Sequence, residues 1–141
     1  MSVRSFQTLF SADAVVRTLP FETEGQPGEL LLKRMDARSL NEFQTQGVEF
    51  RRDGDAVTSG KVDVNAKQIH LLAHTVVGGY LPRKSVSVAD QSVVWGRTEV
   101  PTDPRRALQF WATEKLSPEF WDFVVVECMA ENGLLEGQAK N

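Results

Sequence analysis

The chain has one cysteine and one tyrosine, and no long apolar run. A single cysteine cannot form an intrachain disulfide. Cys128 also sits among Val, Met and Trp residues, so a reducing, cytosolic setting and a buried, inert thiol are expected. The longest apolar run, Phe123 to Val126, falls far short of the roughly 18 residues of a membrane span. Arg4 near the N-terminus is not followed by an apolar segment, so neither a secretory signal nor a membrane partner is expected. An excess of positive charge is missing as well. The net charge is −3 and the pI about 5.4. The basic pairs Arg51-Arg52, Arg83-Lys84 and Arg105-Arg106 are scattered, with no aromatic residues interleaved. Non-specific nucleic-acid binding requires phosphate neutralisation, so no nucleic-acid partner is expected.

What remains is an ordinary globular composition. The 141 residues are 41% hydrophobic and 25% charged, which fits one folded domain over 1–141 with a frayed tail at 136–141. Phe6, Leu9 and Phe10 are spaced for a short helix over 5–11. Two β-like runs follow, 14–19 and 29–34. Gly25, Pro27 and Gly28 mark a loop between them, over 22–28, which predicts an N-terminal hairpin. Asp36 is placed to cap a helix over 37–46, with Leu40 and Phe43 inward. Asp53-Gly54 suits a hairpin turn between 48–50 and 56–58, which predicts a second hairpin, with an exposed loop as the alternative.

In the second half, Ile69, Leu72, Ala73, Val76 and Val77 follow helical spacing. They predict an amphipathic helix over 62–77, ended by Gly78-Gly79. The stretch 80–100 reads as irregular to β. Thr102 or Asp103 caps the next helix, opened by Pro104, with Leu108, Trp111 and Ala112 inward and Phe110 pointing elsewhere. The fold class expected is α+β: an N-terminal β-hairpin region with several helices, and a helical C-terminal half.

The final helix, over 118–131, carries the strongest signals. Ser117 is an N-cap, Pro118 suits the first helical position, and Asn132-Gly133 is a stop. Trp121, Val124, Val125, Cys128 and Met129 share one face and suffice for a core contact, yet Phe123 and Val126 fall on roughly the opposite side. A helix apolar nearly all round is buried on more than one side. Phe110, Phe123 and Val126, out of phase with their core faces, are the expected partner-binding residues.

Enzymatic chemistry has little to stand on. His70 and His74, at i and i+4, could share a metal ion from one helix face. However, Leu71 stands where a zinc-protease motif has its Glu, and no third ligand is evident. Two solvated histidines are therefore expected, with a small metal-dependent enzyme using His70 and His74 as an alternative. Asp53-Gly54-Asp55 lacks the remaining ligands of a calcium loop. Gly78-Gly79 follows a helix instead of preceding one, so it cannot offer helix N–H groups to a phosphate. No catalytic residue, metal ligand or cofactor is assigned.

The order of features resembles the tail assembly chaperones of long-tailed phages. In that family a short helix leads to a hairpin whose second strand runs into a Leu-Ser-Ala-like phrase and a helix. The stretch Leu30-Leu31-Leu32-Lys33-Arg34-Met35-Asp36-Ala37-Arg38-Ser39-Leu40 stands in that place. Ile69 to Gly79 is similar to the end of the family's mid-chain helix, and Glu131-Asn132-Gly133-Leu134 is similar to its C-terminal stop. The chain departs from the pattern in a longer 78–101 segment and at 47–60. The resemblance implies a non-enzymatic, homo-oligomeric assembly factor of the host cytoplasm. Its implied partners are the tape-measure protein, which it keeps soluble, and the major tail-tube protein, which it helps recruit. A structural neck, tail-completion or tail-tube protein is the alternative within the same setting.

Overall fold

The computed structural model describes residues 3, 5, 16–46, 48–53 and 56–135, and within 48–62 the backbone path alone. The helix expected over 5–11, apart from Ser5, lies outside these residues. So do Gly54 and Asp55 of the hairpin turn, and the tail at 136–141.

The elements run β1 (Arg17–Thr23), β2 (Gln26–Leu32), α1 (Ala37–Thr45), β3 (Val48–Asp53), β4 (Ala56–Val62), α2 (Val64–Thr75), β5 (Val76–Val86), β6 (Val93–Glu99), α3 (Pro104–Thr113) and α4 (Pro118–Glu131). They form an α+β fold. Strands β1-β2-β5-β6 make a four-stranded antiparallel sheet, and β3-β4 pair separately as a second hairpin, with Asp53 opposite Ala56. No described helix is long and apolar enough to cross a membrane.

The N-terminal hairpin is tighter than its glycines and proline suggest. Thr23 pairs with Gln26 across a two-residue turn, Glu24-Gly25, whose φ values of 50° and 80° are the positive pair that a type I′ turn requires. Pro27 and Gly28 belong to β2, where Gly28 lies opposite Phe21. Leu30 and Leu32 alternate onto one face with Leu19 of β1, and all three are buried.

The 62–77 helix expectation is corrected at its end. α2 starts from an Asp63 cap and stops at Thr75, after which the chain passes directly into β5. The Thr75 carbonyl accepts from Lys33 N at 2.8 Å, and Val76 pairs with Leu32. β2 thus offers open pairing groups just where β-branched Val76 and Val77 suit a strand better than a helix. Gly78 and Gly79 are strand residues, and Gly79, at φ 114°, adopts a backbone that L side chains rarely reach. The stretch expected to be irregular is the β5–β6 hairpin, so half of the main sheet comes from the second half of the chain.

α2 packs against α3 and α4. The core joins Leu30 and Leu32 of the sheet to Leu71, Leu72, Trp111, Val124 and Cys128 of these helices. Trp121 and Met129 are partly buried at its margin, so the core face expected for α4 holds. The caps hold as well. The side chains of Asp36, Asp103 and Ser117 accept from the first-turn N–H groups of Ser39, Arg105 and Phe120. At the C-terminus of α4, Gly133 N–H bonds the Ala130 carbonyl and Leu134 N–H the Met129 carbonyl, with Gly133 at φ 68°. That pattern is a Schellman stop.

Candidate functional site

An open groove of about 530 Å³ runs between the sheet and the N-terminal half of α4. Phe21 of β1 and Leu81 and Pro82 of β5 line its sheet side. Leu116, Phe120 and Phe123 line its helix side, and Glu22, Lys115 and Glu119 add charge. Three aromatic rings form a continuous strip. Phe21 and Phe120 have centroids 4.9 Å apart, and Phe120 and Phe123 6.2 Å apart.

Local sequence explains the strip. The Ser117-Pro118 start of α4 places Phe120 and Phe123 three residues apart, one turn along the same side of the helix. Phe21 reaches over β2 because its cross-strand neighbour is Gly28. A Cβ at position 28 would occupy the space of the Phe21 ring. Gly28, read from sequence as a loop residue, therefore seats one wall of the groove. The register that reveals this role depends on the turn at Glu24-Gly25.

Of the three expected partner-binding residues, Val126 is exposed on α4, whereas Phe123 is partly buried against the margin of the core. Phe123 lines the groove, and Val126, one turn further on, is 50% exposed. Phe110 is a correction. It is buried and meets Trp111 edge-on, with centroids 5.0 Å apart. The inward stripe of α3 is Ala107, Phe110 and Trp111, while Leu108 and Ala112 are exposed. Two apolar stripes one residue out of phase share Trp111. Burying the larger Phe110 in place of Leu108 removes more apolar surface from water.

The histidines are also corrected. His70 is buried, not solvated, and His74 is only partly exposed. Their rings stack with centroids 4.0 Å apart and an interplanar angle of 27°. His70 Nε2 lies 3.1 Å from the Ser39 carbonyl of α1, and His74 Nδ1 lies 2.9 Å from the His70 carbonyl. A carbonyl only accepts, so both of these nitrogens carry protons. Burial, and secondarily the His74 charge, lowers the His70 pKa below its ordinary 6.5 and favours the neutral ring. Glu42 of α1 completes a cluster with the two histidines. Sequence gave no sign of Glu42, because nothing local shows that the outer edge of α1 docks beside the last turns of α2.

Cys128 is fully buried, and burial raises its thiol pKa far above the ordinary range, consistent with the inert thiol expected. At the far end of the β5–β6 hairpin, Val86, Val88, Val93 and Val94 are all exposed, forming an apolar tip. No protein-family model, curated protein or solved structure matches the chain.

Proposed function

We propose that the chain is a non-enzymatic phage tail assembly chaperone that holds apolar helical segments of the tape-measure protein in the groove beside α4. The observation that carries this reading is the aromatic strip of Phe21, Phe120 and Phe123, half-buried against the core and lining an open groove bordered by charge. A tape-measure protein is long, helical and rich in apolar surface, and a ridge of its apolar side chains has the shape and chemistry such a strip accepts. Each large apolar side chain buried there contributes roughly 1.5–3 kcal/mol, offset by the cost of association. A few such anchors hold a partner yet let it be displaced as the tube assembles. Recruitment of the major tail-tube protein and action in the host cytoplasm belong to the same reading. The valine tip of the β5–β6 hairpin supports homo-oligomerisation.

The test is co-expression with a phage tape-measure protein. Wild type raises its soluble yield and co-purifies with it. Phe123→Asp loses at least tenfold of the captured partner while remaining folded by circular dichroism, and Val126→Asp loses less. No gain in solubility together with no co-purification overturns the proposal.

The hairpin tip favours a second reading, a structural neck, tail-completion or tail-tube component, because exposed apolar strand ends suit permanent contacts between subunits. Mass spectrometry of purified particles separates the two. A structural component is present in stoichiometric amounts, and a chaperone is absent.

A further inference from the structure

We propose that Glu42, His70 and His74 form a binding site for a divalent transition ion of the zinc class, which clamps α1 onto α2. One ligating atom from each residue lies within 4.8 Å of the other two. Tetrahedral zinc with bonds near 2.1 Å needs ligand atoms roughly 3.4 Å apart. The remaining approach is therefore a side-chain adjustment that leaves the backbone in place. Glu42 is exposed and His74 partly so, which lets both move, while buried His70 is the fixed point.

The hydrogen bonds around the rings are those of oriented ligands. Metal-bound histidines almost always donate their other N–H to a carbonyl or carboxylate. Here both rings already do so, His70 through Nε2 to Ser39 and His74 through Nδ1 to the His70 carbonyl. That assignment leaves lone pairs on His70 Nδ1 and His74 Nε2. Phe43 stacks beside His70 at 6.5 Å and shields that ring. Two competing contacts must yield. The rings must fan apart from their 4.0 Å stack, and Glu42 must leave Arg38, a 3.4 Å pair on the exposed face of α1. An exposed i,i+4 pair contributes little, so its loss is easily offset. Two imidazoles and one carboxylate suit zinc and exclude calcium and magnesium, which take oxygen ligands. The fourth position is left to water.

An ion there would strengthen a thin seam. α1 has no fully buried residue and holds to α2 through Leu40, Phe43, the His70–Ser39 bond and Lys67 above the Phe43 ring. The site is independent of the groove and of any partner held in it.

The experiment titrates the full-length, untagged, metal-stripped protein with zinc alone by calorimetry. Cobalt absorption serves as a second readout. One ion per chain with micromolar affinity is expected, together with the intense visible bands of tetrahedral cobalt. His74→Gln and Glu42→Gln should each weaken binding at least tenfold, and Arg38→Ala should leave it equal or tighter. Amide exchange over 37–45 should slow when zinc is added. Absence of binding, affinity unchanged in His74→Gln and Glu42→Gln, or unchanged exchange in α1 would overturn the proposal. His74 and Glu42 are chosen because neither is in the core, so their variants fold.

Discussion

The side-chain amide of Asn132 donates to Thr75 Oγ1 at 2.9 Å, joining the end of α4 to the end of α2 across 57 positions of sequence. The same amide nitrogen donates to the Cys128 carbonyl, and Asn132 Oδ1 accepts from the buried Met35 N–H at 2.7 Å. One buried residue thus ties α4, α2 and the segment leading to α1. The helix stop itself needs Gly133, since Asn132 has an ordinary φ of −94°. Asn132→Ala leaves Met35 N–H and Thr75 Oγ1 without these partners in a dry environment. A loss of roughly 2–4 kcal/mol in urea unfolding is expected. Asn132→Ala combined with Thr75→Val should cost less than the sum of the two single changes, because the paired groups leave together. Strict additivity would show that the bond contributes nothing.

Gly79 permits the close approach of β5 to β2. It lies opposite Leu30 at φ 114°, and a Cβ there would collide with the Glu29 backbone carbonyl. Its own carbonyl accepts from Val100 N at 2.9 Å, so the backbone cannot simply turn away. Gly79→Ala should cost upwards of about 2 kcal/mol, combining strain with separation of the two central strands. Gly96→Ala is the control. Position 96 has no positive φ and no neighbour within 4 Å of a Cβ, so a change within about 0.5 kcal/mol is expected. Equal effects at the two sites would remove the close-approach explanation.

What sequence made visible was chemistry contained within one turn of chain. Asp36, Asp103 and Ser117 announce helix starts because a short polar side chain and the first N–H groups are neighbours in sequence. Gly133 announces a stop for the same reason. What stayed hidden depended on the partner strand or helix. Val76 and Val77 continue the helical period of α2, and only the open edge of β2 draws them into a strand. Phe110 and Leu108 offered two usable phases, and the shape of the core selected Phe110. The groove was half visible. The surplus apolar character of Phe123 could be read from the helical period, but Phe21, Leu81 and Pro82 reach it through sheet pairing. Glu42 reaches the histidines through docking of α1, which no spacing encodes.

The α1 cap gives a pH dependence of known sign. Asp36 Oδ1 accepts from Ser39 N at 2.8 Å. That backbone bond, then the Ser39 hydroxyl and the nearby Arg38 and His74 charges, holds the carboxyl below its ordinary 3.8. A depressed folded-state pKa means that the unfolded chain takes up the proton first. The stabilisation is therefore complete well above pH 3.8 and is lost as the pH falls through the folded value. Asp36→Asn keeps an oxygen acceptor for Ser39 N but cannot titrate. At pH 7, Asp36→Ala should lose about 1 kcal/mol, as cap removals do, and Asp36→Asn a fraction of that. Wild type and Asp36→Asn should then converge as the pH drops from 5 to 3, in urea unfolding at matched ionic strength. Their difference isolates Asp36 from the other carboxylates, which titrate in both proteins. A gap that stays constant from pH 7 to pH 3 would show that the cap acts through geometry alone and that the charge adds nothing.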